Sequence, residues 1–300
     1  MEFGFFSIQY SEEKREAFQE LLESDFINVF LVGDKEDGCS VNSAKSFEMI
    51  HAYRKHCYVY FYDSVFERTD GQGIVDVGDS YADKPRTVLK KDWVSRLEKF
   101  RDFLADKAYK ECVEGFYIDE PLLCGISPED FMAVTGKIRE LFPDKRIFCC
   151  FSVAGVAPDI WTLNGIPAID EDSGQYLTDV GFDMYHAFDW KYAYITSEMK
   201  RRLGNRKDLR IWQIPCIMNY CGDKTEQHDI DHLNGLYDLL KAEENPGGLM
   251  CYSYFIAPSE TESIGNIGLS DLRGLKPGDA NWEKLWSEIV RTGRECTNRK

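Results

Sequence analysis

Eight apolar, strand-like runs recur along the 300-residue chain, and a helical pattern lies between each run and the next. The runs cover residues 3–9, 27–32, 57–62, 116–118, 146–152, 180–185, 209–219 and 247–255. Alternating strands and helices indicate a parallel sheet, and most of the spacings suit a strand–helix–strand unit. Eight repeats favour a closed barrel over an open sheet. The sequence therefore predicts an α/β fold, a (β/α)8 TIM barrel.

The barrel accounts for the whole chain, so residues 1–300 are expected to form one domain. One spacing is wide, because a long polar loop at about 63–87 follows the third strand and precedes the longest helical pattern, 88–109. Loops of this length in a compact domain are usually functional or mobile. No strand is followed by a glycine-rich phosphate-binding motif, so no nucleotide cofactor is expected, nor any other.

Charge and cysteine usage restrict the partners and the compartment. The net charge of −16 would repel nucleic acid and anionic membranes, whereas a neutral carbohydrate ligand is easily accepted. No apolar stretch approaches the roughly 18 residues of a membrane span. The ten cysteines include no CxxC pair and several lie inside apolar runs, which is typical of free thiols in a reduced cytoplasmic protein. A trimmed signal peptide would instead allow secretion.

In a TIM barrel the carboxyl ends of the strands share one rim, where active sites are built. Polar and aromatic residues follow several of the predicted strands. The candidates are Asp34, Tyr62, Asp63, Asp119, Glu120, Asp183, Tyr185, His186, Trp190, Asn219, Tyr252 and Tyr254, with Trp212 as a further aromatic. Carboxylates among aromatic rings suit carbohydrate chemistry, because sugar rings stack on aromatic faces and glycoside hydrolysis uses a pair of acids.

The segment GFYIDEP, residues 115–121, resembles the end of strand four in TIM-barrel glycoside hydrolases of the clan A type. VGFDMYH and GGLMCYSYF are similar to the sixth and eighth strands of those enzymes, and FGFFSIQ and INVFLV to the first two. The resemblance implies that Glu120 is the general acid. In many such enzymes an asparagine precedes the glutamate and contacts the sugar 2-hydroxyl. This chain has Asp119 at that position, so the resemblance does not imply the same contact here.

Strand seven departs from this resemblance. Retaining enzymes of the clan carry a nucleophilic glutamate there, but the segment IWQIPCIMNY has no acid, and Glu226 lies well beyond it. Three interpretations remain open. Asp183 or Asp63 could activate water in an inverting enzyme, the nucleophile could be displaced, or the barrel could bind carbohydrate without cleaving it.

Other chemistries receive less support from the sequence. No metal site is expected, because few histidines follow strands and the aspartates of the long loop lack the EF-hand pattern. A metal-dependent hydrolase remains a third functional class. His228 and His232 are four residues apart, a spacing that allows a metal pair, but we interpret them as a solvated helix face. Trp93, Trp282 and Trp286 are expected on helix faces that pack against the core.

Overall fold

The structure, a computed structural model, describes residues 1–6, 14–33, 41–68, 87–107, 109–163, 165–185, 187–218, 225–254, 268–273 and 282–298. Eight parallel strands close into one barrel in chain order. They are β1 (Glu2–Phe5), β2 (Val29–Gly33), β3 (His56–Tyr60), β4 (Val113–Asp119), β5 (Arg146–Ser152), β6 (Asp179–Asp183), β7 (Arg210–Gln213) and β8 (Pro246–Cys251). Strand β1 pairs with both β2 and β8, which completes the ring. The predicted single-domain TIM barrel is confirmed.

Helices surround the barrel. The longer ones are α1 (Arg15–Glu23), α2 (Val41–Ala52), α3 (Trp93–Lys107), α4 (Pro128–Leu141), α5 (Trp190–Arg202), α6 (Glu226–Lys241) and α7 (Glu283–Cys296). Shorter helical segments are Tyr62–Val65, Tyr109–Glu111, Val153–Val156, Glu171–Gly174 and Leu269–Arg273. Helix α4 illustrates how the sequence sets a boundary: the Ser127 side chain accepts from the amide of Asp130 at 3.1 Å, and Pro128 occupies the first turn.

Two apolar layers hold the fold together. The larger lies between the strands and the helices. The smaller fills the barrel interior with side chains from several strands: Val29, Leu31, Tyr58, Tyr117, Phe148, Cys150, Trp212, Ile214 and Met250. Because side chains alternate across a strand, β2, β3, β4, β5, β7 and β8 supply both layers. The barrel is therefore a packed core, and ligand chemistry is left to its rims.

The region after β3 differs from the prediction in two ways. Strand β3 ends at Tyr60, and the predicted continuation to residue 62 is instead the start of the helical turn Tyr62–Val65. A short antiparallel pair then forms between Phe66–Arg68 and Thr87–Leu89, two strands in addition to the eight that were predicted. The remainder of the predicted long loop, residues 69–86, lies outside the described residues.

Strand β7 is shorter than predicted, because Pro215 has no N–H to donate to the ladder. Beyond Gln213 only isolated bridges persist, from Ile214 to Asp183 and from Cys216 to Tyr252. The chain nevertheless stays beside its neighbours, since the carbonyl oxygen of Pro215 accepts from the amide of Tyr252 at 2.9 Å.

Trp212 does not lie at the carboxyl-terminal rim, where the sequence had placed it. Its ring is fully buried in the barrel, and its Nε1 donates to Oδ1 of Asp179 at 2.7 Å. Asp179 is the first residue of β6 and also contacts Nε of Arg210 at 2.9 Å and Nη1 of Arg146 at 3.4 Å. Glu2 contacts Arg210 and His56 beside this group. These charges close the amino-terminal end of the barrel, the end associated with stability.

The interpretation of His228 and His232 as a solvated helix face is also wrong. His232 is fully buried, and its Nδ1 accepts from the amide of Cys216 at 3.0 Å. His228 contacts Oδ1 of the buried Asp229 through its Nδ1 at 2.9 Å. The apolar side of α6 packs on β7 and β8, which turns this part of the helix towards the irregular chain after Gln213.

Candidate active site

Glu120 follows the last residue of β4 at the carboxyl-terminal rim of the barrel. Its amide donates to the carbonyl oxygen of Cys150 on β5 at 2.8 Å, so the parallel ladder extends one residue beyond the strand. Its φ of 38° lies in the left-handed region, which residues with a Cβ seldom adopt. Its carbonyl oxygen then accepts from the amide of Cys124 at 2.9 Å, within the turn after Pro121. The chain therefore leaves the barrel wall sharply at Glu120.

Asp119 is held by a tyrosine from its own strand. Tyr117 precedes it by two residues, so both side chains lie on the same face of β4. Tyr117 is fully buried in the barrel interior, and its hydroxyl donates to Oδ1 of Asp119 at 2.8 Å. Asp119 is half-buried and lies where the packed interior meets the open rim.

Asp183 ends β6 and brings a third carboxyl group to the same place. Its side chain forms hydrogen bonds with Glu120 and Tyr185, and the Cys150 thiol makes a further one. In the barrel register, Asp183 pairs with Ser152 of β5, whereas Asp119 pairs with Cys150 of the same strand. Strand β5 therefore separates the two acids at the backbone, and their side chains converge above it.

Burial and mutual repulsion shift the ionisation of these acids. Burial, and then the charge of Asp183, raises the pKa of Asp119 to about 7. Burial, followed by the charges of Asp183 and Asp119, raises the pKa of Glu120 well above its usual range. Burial also raises the pKa of Asp183, but hydrogen bonds from Tyr185 and Glu120 oppose that shift. The arrangement favours a protonated Glu120 that donates to an ionised Asp183.

Aromatic rings form one wall around the acids. Tyr185 and Tyr252 stack with their ring centroids 5.3 Å apart and their planes 7° apart. Phe6 contacts Tyr252 at 5.1 Å and Tyr117 at 5.4 Å, both in edge-to-face geometry. Tyr60 adjoins Tyr117 at 6.0 Å. The predicted residues Glu120, Asp119, Asp183, Tyr185 and Tyr252 are thus brought together at one rim.

Tyr62 and Asp63 lie further round the rim, on the helical turn after β3. Tyr62 stacks on Tyr60 at 6.1 Å and is nearly fully buried, and its hydroxyl lies 3.4 Å from Oγ1 of Thr87. The carbonyl oxygen of Asp63 accepts from Nζ of Lys90. Burial, followed by the charges of Asp119, Cys124 and Asp63, raises the pKa of Tyr60 well above its usual range, so both aspartates lie near enough to act on this hydroxyl.

Trp190 is the first residue of α5, with 66% of its surface exposed, and it touches Tyr194 at a centroid distance of 6.1 Å. Two other predicted binding residues, His186 and Asn219, lie outside the described residues.

Several residues of the site were not predicted from the sequence. Phe6, Tyr60 and Tyr117 complete the aromatic wall, and Cys150 contacts Asp183. Tyr117 could have been found, because it lies two residues before Asp119 and must share its face. Phe6 and Cys150 lie within predicted strands but carry no signal that distinguishes them from core residues.

Strand seven brings no acid to the described part of the rim. Gln213, Cys216 and Met218 are buried at its end. Glu226 points elsewhere: its Oε1 accepts from the amides of Lys284 and Leu285 at 2.7 and 3.0 Å, which caps the start of α7. The segment 209–222 contains no Asp or Glu, and Asp223 is the first acid after it.

Two further features bear on the choice of chemistry. Within the described ranges, no three His, Cys, Asp or Glu side chains are grouped so that they could hold a metal ion. No helix in the same part of the chain has the length and apolar character needed to cross a membrane.

No model of a known protein family matches the chain, and neither does any curated protein. Solved structures of glycoside hydrolases share its fold. A Bacteroides thetaiotaomicron protein with a provisional assignment as an alpha-L-fucosidase is 13% identical, with a TM-score of 0.58 over 100% of this chain and 94% of its own. GH5_18 from Streptomyces cattleya, solved with GlcNAc, is 12% identical, with a TM-score of 0.58 over 100% and 82%.

The intracellular xylanase of Thermoanaerobacterium saccharolyticum is 14% identical, with a TM-score of 0.53 over 86% of this chain and 89% of its own. At such identities the likeness establishes the fold. The chain is a TIM barrel of the kind on which these glycoside hydrolases are built.

Proposed function

We propose that the chain is a glycoside hydrolase that cleaves a neutral or amino-sugar-containing glycan, with Glu120 as the general acid. The observation that carries this proposal is the contact between Glu120 and Asp183 on the carboxyl-terminal rim. A general acid must hold its proton near neutral pH, and burial beside a second carboxylate favours the protonated form.

Asp183 has the second carboxylate role in this proposal. Its hydrogen bond from Tyr185 favours the ionised form, so it can carry negative charge while Glu120 carries the proton. Asp63 is the weaker candidate, because it lies on the separate turn after β3. The stacked Tyr185 and Tyr252, together with Phe6, offer apolar surface to a sugar beside the acids.

The direct test is the hydrolysis of a panel of 4-nitrophenyl glycosides that includes glucosides, mannosides, xylosides, fucosides and 2-acetamido-2-deoxyglucosides. We expect Glu120→Gln to lower kcat/KM on the cleaved substrate by on the order of 100- to 10,000-fold, because the amide cannot protonate the leaving oxygen. Glu129→Gln, the same change on the exposed first turn of α4, is the matched control. Unchanged turnover in Glu120→Gln would contradict the proposal.

A second candidate function is carbohydrate binding without hydrolysis. The absence of Asp and Glu from residues 209–222 favours it, because a two-carboxylate mechanism needs a partner for Glu120 at a defined separation. Titration calorimetry with the sugars of the same panel distinguishes the candidates: binding without product formation supports this function, and turnover excludes it.

We also propose that the protein works in a reducing, cytoplasmic compartment. Eight cysteines, at positions 57, 112, 124, 149, 150, 216, 251 and 296, are free and buried in the described part of the chain. Fractionation of the source cells tests this, since recovery in the extracellular fraction would contradict it.

A further inference from the structure

The separation between the two acids is unusual for a glycoside hydrolase. Retaining enzymes place their carboxyl groups about 5–5.5 Å apart and inverting enzymes about 6.5–9.5 Å apart, so that a sugar carbon or a water fits between them. Glu120 and Asp183 instead share a hydrogen bond. Two carboxyl groups that share a hydrogen bond leave no space between them for a sugar carbon or a water.

In the described part of the chain, strand seven does not supply a replacement. Gln213, Cys216 and Met218 occupy the end of strand seven, and Cys216 and Met218 pack against Tyr185 and Tyr252. Glu226 is engaged in capping α7. Among the described residues, the side chains that pack beside Tyr185, the hydrogen-bond partner of Asp183, are thus Tyr252, Cys216 and Met218.

We propose that the nucleophile belongs to the substrate: the carbonyl oxygen of a 2-acetamido group attacks the anomeric carbon, and Asp183 accepts the hydrogen bond of the acetamide N–H. The substrates are then 2-acetamido-2-deoxy glycosides whose leaving group is trans to the acetamido group. This inference rests on the proposed function and narrows its substrate class.

The steps balance without a further reactant. Glu120 gives its proton to the glycosidic oxygen as the bond from that oxygen to C1 breaks, and the acetamido oxygen forms a new bond to C1. The bicyclic oxazolinium ion keeps its N–H on Asp183. Water then adds to C1 and gives a proton to the Glu120 carboxylate, while the bond from C1 to the acetamido oxygen breaks. Two displacements at C1 retain its configuration.

The structure meets the requirements of this mechanism at each group. The hydrogen bond that Asp183 now accepts from Glu120 is the one that an acetamide N–H would replace, which releases Glu120 towards the leaving oxygen. The Tyr185 hydroxyl holds the Asp183 carboxylate in place. Tyr252 and Tyr185, backed by Met218 and Cys216, form an apolar wall suited to the acetamido methyl group.

The first experiment compares aryl 2-acetamido-2-deoxy-β-glucosides with aryl β-glucosides that carry a 2-hydroxyl group. We expect cleavage of the acetamido substrate alone, with retention of configuration seen by NMR at early times. Equal cleavage of the 2-hydroxy substrate, or inversion, would overturn this inference and leave the proposed function standing, provided that Glu120→Gln still abolishes turnover. Cleavage of neither kind, with turnover of another member of the glycoside panel, would also overturn this inference alone. If the wild type cleaves no member of that panel, the proposed function itself fails.

The second experiment replaces the acetamido hydrogens with fluorine. Because fluorine withdraws electrons from the attacking oxygen, kcat/KM should fall by on the order of 100-fold from the acetamido to the trifluoroacetamido substrate. The same rate for all members of the series would overturn the proposal. This readout needs no variant, so it does not depend on whether Asp183→Asn folds.

The third experiment examines competing nucleophiles. Asp223→Asn and Glu226→Gln should keep wild-type kcat on the acetamido substrate. Asp183→Asn should lower that kcat by on the order of 100-fold or more, and its remaining rate should no longer depend on fluorine substitution of the acetamido group. Loss of activity in the folded Asp223→Asn or Glu226→Gln variant would overturn the proposal. A covalent adduct on a carboxylate after treatment with a 2-deoxy-2-fluoro glycosyl fluoride would also overturn it.

Discussion

At the scale of single residues, two adjacent acids of β4 occupy different environments. Asp119 faces inward and is held by Tyr117, whereas Glu120 lies on the bend with its φ at 38° and contacts Asp183. A left-handed conformation at a non-glycine residue is disfavoured by about 1–3 kcal/mol and recurs at functional sites. Asp119 and Glu120 are therefore adjacent in the chain, but Asp119 is a carboxyl group held by Tyr117 and Glu120 is the proposed proton donor.

The charge of Asp119 is one of the causes that raise the pKa of Glu120. We therefore expect Asp119→Asn to lower the pKa of Glu120 and to move the alkaline limb of the profile of kcat/KM against pH to lower pH. The measurement is that profile on the best aryl glycoside. Tyr117→Phe is the matched control, because it removes the hydroxyl but leaves the Asp119 charge. An alkaline limb that does not move in Asp119→Asn would contradict this assignment.

At the scale of elements, the sequence predicted β4 more accurately than it predicted strand seven. The continuous apolar run 116–118 predicted β4 and its acids, because the buried strand, its end and the following proline are all local signals. Strand seven was predicted through residue 219, yet its ladder ends at Gln213. The sequence revealed the proline but not how the chain after it would pack against α6.

Contacts between distant elements account for the other misplaced residues. Trp212 lies on β7 next to Gln213, but its side chain reaches the amino end of the barrel and pairs with Asp179. His232 is drawn inward by the amide of Cys216, sixteen residues earlier. The convergence of Asp119 and Asp183 followed from the barrel prediction, whereas the contacts of Asp183 with Glu120 and Tyr185 depend on side-chain geometry that spacing cannot supply.

Glu226 gives a test at this scale. Replacing it with alanine removes the acceptor for two amides at the start of α7, so we expect a loss of about 1–2 kcal/mol in the free energy of unfolding. Turnover should stay at the wild-type level. Urea unfolding and steady-state kinetics give the two values, and Glu226→Gln, which keeps an acceptor oxygen, should lose less stability. A folded Glu226→Ala variant without activity would identify Glu226 as a nucleophile.

At the scale of the whole molecule, the two ends of the barrel differ in how their buried acids are paired. Asp179 is fully buried at the amino end and contacts Arg146 and Arg210. At the carboxyl end, Glu120 and Asp183 share a hydrogen bond, and tyrosine hydroxyls contact Asp119 and Asp183. The charge of Asp119 also acts on Glu120. Removing one partner of a buried ion pair usually destabilises a protein strongly, whereas acids that repel one another destabilise the fold when they ionise.

The free energy of unfolding should therefore depend on pH through Asp119. Its pKa is about 7 in the folded protein, against about 3.9 for an unfolded aspartate. Between these values the folded state retains a proton that the unfolded state has lost, so stability falls as the pH rises from about 4 to about 7, by up to about 1.4 kcal/mol per pH unit. Above pH 7 this stabilisation is gone.

Urea unfolding of the wild type and of Asp119→Asn across that range measures the effect. The variant cannot ionise at position 119, so its stability should fall less steeply with pH. Parallel curves for the two proteins would mean that Asp119 ionises in the folded state much as it does in the unfolded chain.

The central claim is that Glu120 protonates the leaving oxygen. The most direct measurement compares the wild type with Glu120→Gln on glycosides of phenols that range from dinitrophenol to unactivated phenol. A good leaving group needs little protonation, so the loss of kcat/KM in the variant should be small for dinitrophenyl glycosides and grow steadily for the less acidic phenols. An equal loss for every leaving group, or no loss, would contradict the assignment of Glu120 as the general acid.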